Sequence, residues 1–87
     1  SLNWRKIMAK NVKTSIEPDS NIISGVKDFG KHIKFKRTSE GLTLNEAAEL
    51  CNINTRTLMR LEKGSEGVRL STALHIAKMF GLKLILE

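Results

Sequence analysis

The 87-residue sequence predicts a mainly α fold, a compact bundle of four or five short helices followed by a C-terminal β-strand. Three patterns predict it. Apolar residues recur at three- and four-residue intervals over residues 24–80, helix start and stop signals interrupt that pattern at short distances, and the last six residues switch to alternation. The divisions that follow are a basic N-terminal extension over 1–23, a helical domain over 24–81 and a strand over 82–87. A chain of this size buries only about 60–65% of the surface its unfolded form exposes, so a partner subunit is expected to add stability.

In residues 1–23, Trp4, Ile7 and Met8 have helical spacing, whereas Val12, Thr14 and Ile16 alternate like a strand before the turn signal Pro18-Asp19-Ser20. From about Ser24 to Ser39, Val26, Phe29, Ile33 and Arg37 form one stripe with lysines between them, and Glu40-Gly41 ends this amphipathic helix. Thr43 with Glu46 three residues later reads as a capping box, and Asn54 as the N-cap of a second short helix. Asn52 stands between them where the chain must turn sharply, a place suited to its tolerance of the left-handed conformation. Gly64 closes the second helix. Helical spacing turns Ala47, Ala48, Leu50 or Cys51, Ile53, Leu58 and Leu61 towards a shared core, leaving Thr55, Arg56, Met59, Arg60 and Lys63 outward. Two short capped helices joined by a tight turn make a helix-turn-helix, which points to DNA.

Ser65-Glu66-Gly67 reads as a loop, and Leu70 or Ser71 begins a last helix carrying Ala73, Leu74, Ile76, Ala77 and Phe80, with Lys78 in its final turn and Gly81 beyond. The tail alternates, with Leu82, Leu84 and Leu86 on one face. A lone strand is unstable, so it is expected to pair either with residues 11–16 or with the same tail of a second subunit, building a homodimer.

The formal charge of +6 suits a nucleic-acid partner, and its distribution is uneven. Residues 1–37 hold nine of the fifteen Lys and Arg and three of the nine acids, while residues 38–87 hold six of each. Non-specific attraction is therefore expected from the N-terminal segment and first helix, with Lys34 and Lys36 among the phosphate-contacting residues. The bland alternative is a lysine-rich solvated surface. A single cysteine excludes an internal disulfide and a cysteine-rich zinc site, no apolar run is long enough to cross a bilayer, and no signal-peptide pattern opens the sequence. The expectation is a cytoplasmic protein without cofactor or metal.

Leu42, Thr43, Glu46 and Ala48, then Ile53, Arg60, Glu62 and Gly64, match positions of a recurrent pattern, Leu-Thr-Gln-x-Glu-Leu-Ala followed by Arg-Ile-Glu-x-Gly. Over about residues 26–81 the chain resembles the Cro and phage-repressor, or Xre-type, helix-turn-helix family. The ending Gly67 to Thr72 through Gly81 to Leu84 resembles its HipB-type antitoxin branch. The resemblance implies that the second motif helix enters the major groove of double-stranded DNA, with Thr55, Arg56, Thr57, Met59 and Arg60 facing bases. Arg56 leads because a guanidinium can bond guanine O6 and N7 together, although phosphate contact is the alternative for Arg56, Arg60 and Thr57. Thr43 and Lys63 stand at phosphate-contacting positions, and Arg69 is expected to reach the phosphate backbone or the minor groove. Arg37 and Glu62 are expected to form a structural salt bridge. Leu44 replaces the family's usual Gln, which removes one backbone anchor, and Glu66 is unhelpful beside a phosphate.

Other readings fail. Gly25 to His32 almost spells a phosphate-binding loop, but His32 replaces the required hydroxyl and the segment has helical periodicity. Cys51 occupies a core position, His32 and His75 lack ligand or triad spacing, and Trp4 is an isolated aromatic, so nothing supports catalysis. The expected function is a homodimeric, sequence-specific transcriptional regulator on a palindromic operator. Its alternatives are an antitoxin that binds a cognate protein toxin and autoregulates its operon, and an interaction module that has lost DNA binding.

Overall fold

A computed structural model describes residues 12–87; the expected helical spacing of Trp4, Ile7 and Met8 lies outside them. Among the described residues there are four helices, α1 (Val26–Ser39), α2 (Leu44–Cys51), α3 (Thr55–Glu62) and α4 (Leu70–Met79). Local hydrogen bonds mark the starts of the first three. Ser24 donates its backbone N–H to Asp28 Oδ2 at 2.9 Å ahead of α1. At α2 the capping box closes both ways, with Glu46 N–H donating to Thr43 Oγ1 at 3.2 Å and Thr43 N–H donating to Glu46 Oε1 at 2.9 Å. At α3, Arg56 N–H donates to Asn54 Oδ1 at 2.7 Å.

The four positive-φ residues among those described, Gly41, Asn52, Gly64 and Gly81, each stand immediately beyond a helix or its cap. At Gly64 the pair of closing bonds, Gly64 N–H to Leu61 O and Ser65 N–H to Arg60 O, is a Schellman motif. Asn52, at φ 57° and ψ 46°, does the same work between α2 and α3 with a side chain that accepts the left-handed region.

One core joins the helices: Phe29 and Ile33 from α1, Ala47, Ala48 and Cys51 from α2, Leu58 and Leu61 from α3, Ile76 and Ala77 from α4, with Leu42 and Phe80. The choice at the end of α2 falls to Cys51, which is fully buried, while Leu50 is 51% exposed. Gly30 sets the α1–α3 distance. A Cβ there would stand 2.7 Å from the Glu62 carbonyl oxygen and closer still to that of Leu61, so the helices pack backbone against backbone. Residues 12–24 form no helix and lie along α1, where Ser15 N–H donates to Thr38 Oγ1 at 2.9 Å and Ser20 O meets His32 Nε2 at 2.8 Å.

The expected C-terminal strand does not form in this chain. Residues 82–87 and residues 12–16 have no strand structure, and the backbone of Ser15 bonds to Thr38 in place of a strand partner. Leu82 is drawn into the end of α4, its N–H donating to Ala77 O at 2.8 Å and its side chain packing on the core. Leu84, Ile85 and Leu86 remain exposed, so alternation in the tail has no second strand among the described residues to complete it. The Gly25 to His32 segment is the start of a helix, as its periodicity requires, and not a phosphate-binding loop.

Candidate nucleic-acid interface

The orientation of α3 follows from three side chains. Leu58 and Leu61, buried against the core, fix one side of the helix. Glu62 turns towards α1, where Arg37 Nε donates to its Oε2 at 2.6 Å and Arg37 Nη2 to its Oε1 at 2.9 Å. A third bond, Arg37 Nη1 to Leu42 O at 2.8 Å, ties the same guanidinium to the start of the motif. The forked pair is shielded, with 8% of the Arg37 side chain and 6% of Glu62 exposed.

With the one acid of α3 spent on α1, its outward stripe is basic. Arg56, Arg60 and Lys63, spaced at i, i+4 and i+7, are all exposed, with Thr57 and Met59 half-buried beside them. Cations spaced at i, i+4 repel each other, so this stripe costs the helix a few tenths of a kcal/mol, on the order of 0.2–0.5, until an anion faces it. Thr55 is set back from the others, because its hydroxyl donates to Asn45 Oδ1 on α2 at 3.0 Å.

Of the residues singled out for phosphate contact, Thr43 caps α2 and keeps its hydroxyl proton free of that cap, since its oxygen is the acceptor. Arg69 is exposed immediately before α4. Lys34 and Lys36 stand on α1 and not on the motif; their carbonyls accept from Thr38 and Ser39 hydroxyls. Leu82, Leu84 and Leu86 lie beyond α4.

Two polar residues near this surface escape sequence reasoning. Asn45 is exposed at the start of α2, and accepting from Thr55 through Oδ1 leaves its amide N–H groups to point away. Lys27 runs its stem over the end of α3, where its Cγ stands 2.5 Å from the point a Gly64 Cβ would occupy. The available signal for Lys27 is Gly30 one turn later on the apolar stripe, since glycine inside a helical pattern marks a close approach. Cys51 serves packing, its burial pushing the thiol pKa up, and the exposed His75 meets Cys51 O through Nε2 at 2.8 Å. No group of three or more metal-ligating residues occurs among the described residues, and no described helix is long and apolar enough to cross a membrane.

Comparison with known proteins places this geometry. A helix-turn-helix family model, HTH_3, matches residues 33–86. An HTH-type transcriptional regulatory protein of Pyrococcus abyssi is 34% identical over 60 residues, 69% of this chain, but the chain spans only 19% of that protein's length. Among solved structures, a HipB–O4 20mer complex superposes with a TM-score of 0.68 over 77% of this chain and 94% of that chain, at 22% identity. A HipB–O2 20mer complex of a point variant gives 0.69 over 78% and 94%, and a structure titled MDT Protein gives 0.68 over 77% and 94%, both at 22% identity. At that identity the structures speak for the fold alone, whereas the family match covers more than half of the sequence: the chain belongs to the Xre-type helix-turn-helix family of DNA-binding regulators.

Proposed function

We propose that this chain is a sequence-specific transcriptional regulator that binds a palindromic operator as a homodimer. The supporting observation is the exposed Arg56–Arg60–Lys63 stripe on a helix whose other side is locked by Leu58, Leu61 and the Arg37–Glu62 pair. A rigid helix with cations along one side suits the negative, helix-wide major groove. Arg56, on the first turn, is the leading base reader, with Met59 beside it for a thymine methyl and Thr55 orienting Asn45. Thr43, Lys63 and Arg69 hold the backbone, and Lys34, Lys36 and Lys27 add to the surrounding field.

The dimer reading draws on the apolar surface left by a single chain. Leu70, Leu74, Met79, Leu84, Ile85 and Leu86 are exposed on α4 and the tail, and tails paired across a two-fold axis would bury part of that surface. Such a dimer presents its two α3 helices about 34–36 Å apart, one turn of DNA. Fluorescence anisotropy with a labelled duplex from upstream of the gene tests the proposal. Binding is expected to be tight and to fall steeply with salt, and Arg56→Ala is expected to weaken it by about 1–3 kcal/mol while relaxing preference at one base pair. Equal affinity for a scrambled duplex overturns the sequence-specific reading.

The exposed tail and the HipB-like ending favour a second reading, an antitoxin whose apolar surface holds a cognate protein toxin. Co-expression with the product of the neighbouring gene tests it. A stable complex and protection of cells from that product support this reading; free migration of both proteins removes it.

A further inference from the structure

We propose that Arg60 does not read a base but holds one backbone phosphate of the duplex in a cleft shared with Arg69, Thr57 and Thr72. This inference rests on the DNA-binding reading above and names the part of the ligand that one site takes. The cleft opens between α3 and the start of α4, and its lining is Thr57, Arg60, Gly67, Val68, Arg69 and Thr72. Two arginines and two threonines therefore line one half-open cleft, with no acidic residue among its walls. That donor set matches the oxygens of a phosphodiester, which accept from the planar fork of Arg and from hydroxyls alike. An Arg and a Thr can also meet the edge of a guanine, so the direction of the Arg60 side chain decides between base and phosphate.

The direction of Arg60 carries the inference further. Its Nη2 lies 2.9 Å from the point where a Gly67 Cβ would stand, so the guanidinium is laid back over the loop after α3. Arg56 has no such support. Gly67 is not among the positive-φ glycines, so the backbone there does not itself require glycine. The missing side chain at Gly67 makes the room in which the Arg60 guanidinium lies, in a cleft that Arg69 also lines. From this cleft the two arginines meet a phosphate at the groove edge, which sets the register with which Arg56 meets its base.

The test is anisotropy across a salt series, using a 20-base-pair duplex selected by the wild-type protein from a random pool and a scrambled duplex of the same composition. Arg60→Ala is expected to weaken binding to both duplexes by the same factor, about tenfold, as loss of a charged hydrogen bond does. It should also lower the salt slope by about one. Gly67→Ala should keep the melting temperature and reproduce part of that loss, because its Cβ meets only the far end of the Arg60 side chain. Combining Arg60→Ala with Arg69→Ala should cost less than the product of the single effects, since both serve one phosphate. The proposal is overturned if Arg60→Ala spares the scrambled duplex and the salt slope, or if it relaxes preference at a single base pair. A wild-type protein that binds neither duplex in low salt removes the DNA-binding reading itself.

Discussion

The two sides of α3 carry the same kinds of residue to opposite ends. On the inner side, Glu62 is held by Arg37 in a shielded fork, and the helix backbone lies against Gly30 of α1. On the outer side, Arg56, Arg60 and Lys63 stand exposed. An arginine whose acid is supplied by its own chain is structural, because removing the partner strands a charge in a dry place. An arginine stripe that the chain leaves without an acid is stored attraction for a ligand. Substitutions on the two sides should therefore separate cleanly, the inner ones reading out in stability and the outer ones in binding.

The largest effect is expected at the fork. Glu62→Ala leaves the Arg37 guanidinium shielded with only the Leu42 carbonyl, which costs about 3–5 kcal/mol. A domain of this kind holds about 5–15 kcal/mol in all, so urea unfolding should show a strongly lowered midpoint and, at the low end of that range, a variant close to unfolded. A loss below about 1 kcal/mol would mean that the fork is wet and the division between the two sides of α3 is wrong.

Gly30→Ala comes next. The new Cβ would meet the carbonyl oxygens of Leu61 and Glu62, and neither can move without moving α3, so overpacking of about 1–3 kcal/mol is expected. This variant sharpens the comparison. A shift of α3 relative to α1 also loosens the fork, so Gly30→Ala and Glu62→Ala should be non-additive in a double-mutant cycle on chemical denaturation. Strict additivity would separate the helix crossing from the ion pair.

The division was only partly legible in the sequence. The caps Thr43, Glu46 and Asn54 and the turn residues Asn52, Gly64 and Gly81 act through neighbours four residues away or fewer, so pattern suffices for them. Leu58 and Leu61 were legible through periodicity. The Arg37–Glu62 pair, 25 residues apart, came only through the family resemblance. Gly30 signals a close approach only in general, because what it approaches is a backbone far along the chain. Thr38, which anchors Ser15, and Lys27, which lies over Gly64, were hidden for the same reason. The tail misled in the opposite direction: alternation in Leu82, Leu84 and Leu86 states a capacity for pairing, and pairing needs a second strand that the described residues do not supply.

The smallest effect on stability is expected on the outer side. Arg56→Ala removes an exposed side chain whose backbone N–H, not its guanidinium, makes the bond to Asn54 Oδ1, so the cap survives the substitution. Alanine is also the better helix former, and the change relieves repulsion with Arg60 one turn on. The net is expected to be a rise in stability of no more than about 0.5 kcal/mol. Thermal unfolding at low and high salt checks this, because the relief is electrostatic and should shrink as salt screens it. A clear loss of stability at either salt would place Arg56 among the residues that hold α3 in position, and the outer side would then no longer be distinguished from the inner one by what it leaves unspent.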